Sequence, residues 1–143
     1  MMPLKVKRLN PAALLPAYAR AGDAGLDLFA LQAATIAPGA SALVGTGIAI
    51  ELPPGTEAQV RPRSGLALKH AITVLNTPGT VDEGYRGEVG VILINHGAQR
   101  FDVQPGMKIA QLVIAPCLRV DVEDAPELGD SSRGAGGFGS TGM

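Results

Sequence analysis

Tryptophan is absent from this 143-residue chain, and two tyrosines and three phenylalanines are its only aromatic side chains. A core built on aromatic rings is excluded, so whatever is buried must come from Val, Ile, Leu and Ala, within a hydrophobic share of 46%. Cysteine occurs once, as Cys117. That excludes a disulfide framework or a zinc–thiolate site within one chain, and its apolar surroundings make Cys117 an expected inert core residue. An excess of charge is also lacking: 12 Lys and Arg against 13 Asp and Glu leave a formal net charge of −1. Such a balance gives no basic field for duplex nucleic acid and no patch for a membrane surface. The longest weakly charged run, Ser41 to Ile50, falls far short of the roughly 20 apolar residues that a bilayer requires. The N-terminal MMPLKVKRLN has no apolar signal-peptide core. A cytoplasmic protein, binding neither nucleic acid nor membrane, is the expectation.

What the chain has in plenty is punctuation. Its 19 glycines and 11 prolines amount to about twice the usual share. Apart from a cluster at the C-terminus, they separate short apolar runs, the pattern of an all-β sandwich or barrel in a single domain. Leu4 to Lys7 alternates and predicts an edge strand guarded by lysines. Leu26 to Leu31 predicts a second strand, and Asp27 inside it is the odd residue, either a plain edge-strand aspartate or a functional one. Val44, Thr46, Ile48, Ile50 and Leu52 share one face of a long strand that Pro53-Pro54-Gly55 ends. Further strands are expected over Thr56 to Pro62, Ala71 to Leu75, Arg100 to Val103 and Lys108 to Leu118, with Arg119 to Glu123 closing the sheet. Within Lys108 to Leu118, alternation puts Gln111 on the face of Ile109 and Val113, where its amide needs partners.

Three segments carry more polar chemistry than strands and turns require. From Thr77 to Asn95 the sequence is TPGTVDEGYRGEVGVILIN. Pro78-Gly79 suits a tight turn with positive φ at the glycine, and Val89 to Ile94 is a strand that becomes apolar on both faces. Between them, Asp82, Glu83, Tyr85, Arg86 and Glu88 are either a solvated hairpin or a site. In RPRSGLALKH (61–70), Ser64 could cap a short helix whose free N–H groups, beside Arg61 and Arg63, would attract an anion; an ordinary capped helix with surface arginines reads the same way. His70 has no metal-ligand spacing around it.

The third segment, RGAGGFGSTGM (133–143), matches the dinucleotide fingerprint literally at Gly134, Gly136 and Gly139. That motif and the P-loop both feed phosphates to the start of a helix. No helix-length segment follows here, and no lysine stands where a P-loop needs it. The segment is therefore either a disordered tail or a flexible arm whose Arg133, Phe138, Ser140 and Thr141 close over a phosphorylated ligand with a base.

In order along the chain, AGDAGLDL (21–28), RPRSGLALKH (61–70), NTPGTVDEGYRGEVGVILIN (76–95), PGMKIAQLVI (105–114) and RGAGGFGSTG (133–142) resemble the five motifs of the trimeric deoxyuridine triphosphatases, the dUTPases. The resemblance implies an all-β, jelly-roll-like β-barrel or sandwich subunit of the β-clip kind, with one short helix. It makes residues 1–130 one domain and 131–143 a flexible C-terminal arm. It also implies a homotrimer with shared active sites, each built from one subunit's first, second and fourth motifs, a neighbour's third, and the third subunit's arm.

The activity implied is hydrolysis of dUTP to dUMP and pyrophosphate, keeping uracil out of DNA and supplying dUMP for dTMP synthesis. Asp82 then matches the aspartate that orients the attacking water, and Tyr85 the ring beneath the deoxyribose. Asn76, with the hairpin main chain at Thr80 and Val81, matches the reader of the uracil edge. Arg63, Ser64 and Gly65 match the phosphate-contacting turn. Asp27 and Gln111 match residues that hold waters on a bound Mg2+. Arg133 matches a finger on the terminal phosphate, Phe138 the lid on the base, and Gly139, Ser140 and Thr141 further substrate contacts. Lys108 stands where an arginine is frequent and Leu26 where an aromatic is; Asp23 and Lys69 lie inside motifs without an assigned role. A deoxycytidine triphosphate deaminase of the same fold, with Glu83 or Glu88 as its acid–base group, is the rival enzyme. A non-catalytic nucleotide sensor is the rival outside catalysis.

Overall fold

The computed structural model describes residues 1–142. Among them are ten strands and one helix, in the order β1 (Lys5–Arg8), β2 (Gly25–Phe29), β3 (Ala34–Ile36), β4 (Ser41–Glu51), β5 (Thr56–Arg61), α1 (Ser64–His70), β6 (Ile72–Val74), β7 (Gly79–Val81), β8 (Glu88–Asn95), β9 (Phe101–Val103) and β10 (Lys108–Pro116). Two four-stranded sheets, β1-β4-β8-β6 and β2-β10-β5-β7, and a two-stranded ribbon, β3-β9, contain every strand. All recorded pairings are antiparallel. The sheets are open, so the barrel-or-sandwich expectation resolves to a sandwich.

The core follows from strand alternation. Along β8, Val89, Val91 and Leu93 are buried, while Gly90, Ile92 and Ile94 are half-buried. The strand is apolar on both faces, and within one chain only one of them is fully buried. The buried partners come from both sheets: Val44, Ile48 and Ile50 from β4, Ile72 and Val74 from β6, Leu28 from β2, Val60 from β5, and Ile109 and Leu112 from β10. Phe101 is the one aromatic residue in this core among the described residues, as an aliphatic composition requires. Asn95, fully buried at the end of β8, donates to the carbonyls of Ile36 (3.0 Å) and Gln99 (2.7 Å) and accepts from Gly97 N–H (2.9 Å). Every polar atom of its amide is thereby satisfied inside the core.

Strand β4 carries an irregularity that matters at the site. Its register with β8 runs Val44↔Val91 and Gly45↔Gly90, then resumes at Ala49↔Glu88. Gly47, at φ +72°, absorbs the added residues. Thr46 Oγ1 donates to Val89 carbonyl at 2.6 Å, and Gly47 N–H donates to Glu88 Oε2 at 3.2 Å.

Five local expectations need correction. Arg119 to Glu123 forms no strand, and Leu118, Val120 and Val122 are exposed. The cause is topological: β10 is flanked by β2 and β5, so the segment after it finds no free edge beside β10 in its own sheet. Cys117, just beyond the last strand residue Pro116, is correspondingly exposed rather than part of the core. Gly79 is not at positive φ; it begins β7, and the Thr77–Pro78 peptide bond is cis. The space there is snug: a Cβ would come within 3.3 Å of the Asn76 amide nitrogen and 3.4 Å of Val60 Cβ. Ser64 does not cap α1: Arg63 occupies the N-cap position with extended backbone and no side-chain cap bond, and Ser64 is the first helical residue. Finally, a register shift between Lys108 and Ala110 breaks the alternation of β10. Ile109 and Ala110 both enter the core, and Gln111 does not share the face of Ile109.

Candidate active site

A cavity of about 640 Å3 opens where β2, β10 and the turn from β5 into α1 meet. Asp27 lines it, opposite Gln111 in the β2–β10 register. Although β2 is an edge strand, Asp27 is only 9% exposed, and it is the one buried ionisable residue among the described residues. A buried carboxylate requires partners. Lys108 Nζ lies 3.0 Å from one of its oxygens, and Arg63 Nε 3.8 Å from the other. Arg63 also donates to the Lys108 carbonyl at 3.3 Å, which ties its guanidinium to β10.

Gln111 donates its amide nitrogen to the Pro62 carbonyl at 3.0 Å. A carbonyl can only accept, so the amide orientation is forced and Gln111 Oε1 lies over Gly25. A side chain at Gly25 would overlap that oxygen and come within 3.0 Å of Gln111 Cβ and Cδ. Ser64 and Gly65 open α1 at the cavity wall, and the first intrahelical bond runs from Ala67 N–H to the Arg63 carbonyl at 3.1 Å. The N–H groups of Ser64, Gly65 and Leu66 precede that bond. Arg20 and Asp23 complete the wall. Asp23, without an assigned role from sequence, accepts Arg20 N–H at 2.9 Å and closes the turn that leads into β2. Lys69 sits in the last turn of α1, where a cation complements the helix dipole. With Arg20, Arg63 and Lys108 against Asp23 and Asp27, the cavity has a surplus of positive charge, which suits a polyanion.

A second hollow, about 190 Å3, lies between β7 and β8. Asn76, Thr80, Val81, Asp82 and Tyr85 line it. Asp82 and Tyr85 stand on an exposed turn closed by Tyr85 N–H to the Asp82 carbonyl at 3.1 Å. The Tyr85 hydroxyl donates to the Glu88 carbonyl at 2.9 Å, which lays the ring across Gly87. A Cβ at Gly87 would stand 2.6 Å from the ring carbon Cζ. Glu83 and Glu88 are both engaged with main chain: Glu83 accepts Gly55 N–H at 2.6 Å, and Glu88 accepts Gly47 N–H.

The arm belongs to neither cavity. Arg133 Nε donates to the Gly136 carbonyl at 2.6 Å, and Ser140 N–H to the Gly137 carbonyl at 3.1 Å, so its bonds are local turns. Phe138 is fully exposed, and Gly139, Ser140 and Thr141 are exposed with it. Within one chain, then, the structure brings together Asp27, Arg63, Ser64, Gly65 and Gln111. It separately brings together Asn76, Thr80, Val81, Asp82 and Tyr85, and leaves Arg133 and Phe138 to solvent. The Lys5 hydrogen bond and charge, aided by Arg86, hold the Glu51 carboxyl below its usual 4.5.

An open antiparallel β-sandwich with a cationic cleft, a separate smaller hollow and an unpacked glycine arm defines a β-protein class suited to a base-bearing polyphosphate. The dUTPase family model matches residues 12–142. The chain is 68% identical to the deoxyuridine 5'-triphosphate nucleotidohydrolase of Gloeothece citriformis, over 99% of this chain and 98% of that one. It is 65% identical to the enzyme of the same name from Clostridium acetobutylicum, over 100% and 99%. Among solved structures, the Staphylococcus bacteriophage 80alpha dUTPase with dUPNHPP superposes with a TM-score of 0.93 at 26% identity, covering 100% of each chain. The chain belongs to the dUTPase family.

Proposed function

We propose that this protein is a cytoplasmic dUTP diphosphatase acting as a homotrimer with shared active sites. A water oriented by Asp82 attacks the α-phosphorus in line, the α–β bridging oxygen departs with pyrophosphate, and the water's proton passes to the carboxylate or to solvent. Arg63, the first-turn N–H groups at Ser64 and Gly65, and Lys108 bind the phosphates. Tyr85 packs under the deoxyribose where a 2′-hydroxyl would stand, and Asn76 with the main chain at Thr80 and Val81 reads the uracil edge. Arg133 meets the terminal phosphate, Phe138 covers the base, and Gly139, Ser140 and Thr141 complete the closed arm. On this reading the domain ends near Asp130, and residues 131–143 act on another subunit.

The observation that carries this is the division of the motif residues. Two groups lie in separate cavities and a third projects from the chain on a polar arm, an arrangement that a site shared between copies would explain. The half-exposed outer face of β8 and the exposed Leu118, Val120 and Val122 agree with subunits that cover one another.

Mg2+ fits the donor set. Among the described residues no cluster of three or more His, Cys, Asp or Glu forms a cage. Asp23 is engaged by Arg20 N–H, which leaves the Asp27 carboxylate and the Gln111 amide oxygen as the cavity's donors, a set that suits a hard cation that keeps its waters and rides on substrate phosphates. Asp27 and Gln111 would hold those waters, and the ion when bound supplies charge neutralisation at the phosphate oxygens.

The test is pyrophosphate release from dUTP, dTTP, UTP and dCTP, with and without Mg2+, alongside ammonia release from dCTP. Selective, Mg-dependent turnover of dUTP supports the proposal. Ammonia from dCTP would identify a deaminase instead, against which the engagement of Glu83 and Glu88 with main-chain N–H groups already speaks. Asp82→Asn should keep dUTP binding and lose kcat, because the carboxylate acts on the water and not on the bound nucleotide; normal turnover by that variant removes Asp82 from the role.

A further inference from the structure

Asp82 and Tyr85 stand on a turn in which every residue from Asp82 to Arg86 is exposed. Packing cannot hold such a turn, and at Gly84 even an added Cβ would meet nothing within 4 Å. The turn's own bond, Tyr85 N–H to the Asp82 carbonyl, fixes its shape but not its place on the sandwich. Beyond the Tyr85 hydroxyl bond to the Glu88 carbonyl, two further side chains hold it. Glu83 Oε1 accepts Gly55 N–H at 2.6 Å, tying the tip to the loop between β4 and β5. Arg86 donates from one terminal nitrogen to the carbonyls of Glu83, at 2.8 Å, and of Tyr85, at 3.3 Å. Its other terminal nitrogen lies 3.6 Å from Glu51 at the end of β4, and Glu51 is itself paired with Lys5 of β1 at 3.1 Å.

We propose that Glu83 and Arg86 are positioning residues: they hold the turn so that Asp82 and Tyr85 keep a fixed spacing and direction, and they touch no substrate themselves. The inference rests on the dUTP-hydrolysing role given to this turn above. Water could satisfy the same carbonyls and the Gly55 N–H, but water would leave the turn free to move. Charge-assisted bonds hold it in direction as well as in distance. The Arg86–Glu51 pair is exposed and adds little to stability; its use is to aim the guanidinium. The consequence is a separation of effects, with folding almost untouched and catalysis impaired.

Glu83→Ala and Arg86→Ala should therefore melt close to the parent yet lose kcat by about 10- to 100-fold, the scale of a misplaced reacting group. Selectivity for dUTP over UTP should fall in parallel, because the Tyr85 ring moves with the turn. Glu83→Gln keeps an acceptor oxygen for Gly55 N–H and should retain most of the activity. If Glu83 acted as an acid or base, Glu83→Gln would be as damaged as Glu83→Ala. A readout independent of turnover comes from the absence of tryptophan. In a Tyr18→Phe background Tyr85 is the one remaining tyrosine emitter, and Arg86→Ala should raise its quenching by acrylamide.

The parent's release of pyrophosphate from dUTP is measured first. A parent without it defeats the functional reading, while the quenching result still judges the tether. An active parent whose Glu83→Ala and Arg86→Ala variants match it in kcat, selectivity and quenching would overturn the inference and leave that reading standing. Should one variant fail to fold, the other decides.

Discussion

Gly87→Ala isolates the placement of the Tyr85 ring. The backbone at Gly87 is not at positive φ, so alanine is accepted without strain. The added Cβ would stand 2.6 Å from ring Cζ and 2.9 Å from Cε1, and would overlap the hydroxyl as well. The ring must leave, breaking the Tyr85 hydroxyl bond to the Glu88 carbonyl. That loss is about 0.5–1.5 kcal/mol, and the smaller unfolded-state entropy of alanine offsets it by about 0.4–1 kcal/mol. Because the two nearly cancel and the turn is exposed, the melting temperature should move by less than about 5 °C. Selectivity should respond instead. A wall that rejects one added hydroxyl is worth at most about 100-fold, so kcat/KM for dUTP over UTP should fall toward that of Tyr85→Ala, by up to that factor. The assay is the ratio of the two kcat/KM values, with thermal denaturation alongside. An unchanged ratio in a folded variant would mean that the ring, where it lies against Gly87, does not guard the sugar.

Gly25→Ala should act on the other cavity: the new Cβ displaces Gln111 from Gly25 and strains the β2–β10 pairing, costing about 1–3 kcal/mol and raising the Mg2+ concentration needed for half-maximal rate. Denaturant titration and a Mg2+ titration of activity measure the two effects. Truncation after Asp130 removes Arg133 and Phe138 but no strand, so melting should change little while dUTP turnover collapses. Mixed trimers of full-length Asp82→Asn chains with truncated chains should regain activity that neither parent has; mixed trimers shown to form yet never more active than the parents would refute a shared site. Glu51→Gln probes the carboxyl held down by Lys5 and Arg86. Because its folded pKa is lowered, the parent's small advantage should be full above pH 4.5 and vanish as the pH falls through the lowered value, as melting curves at matched pH would report.

Much of this protein was legible from residue order alone. Short aliphatic runs between glycines and prolines specify strands and turns wherever they fold, and the lack of aromatic residues fixed an aliphatic core before any packing was known. The five motifs announced the family because their residue types are set by substrate chemistry. What sequence could not decide was where alternation would be overruled. The register shift in β10 sends both Ile109 and Ala110 inward, and only paired strands reveal it. Arg119 to Glu123 alternates like a strand but has no edge to join, because β10 is already flanked on both sides. Asp27 could be weighed as bland or functional until Arg63 and Lys108, far away in the chain, closed on it. Likewise Glu83 and Arg86 look like solvated hairpin charges until the loop at Gly55 and the end of β4 come beside them. Local propensity acts within a few residues, whereas partners for a buried charge or a free N–H are supplied by elements that only the fold brings together.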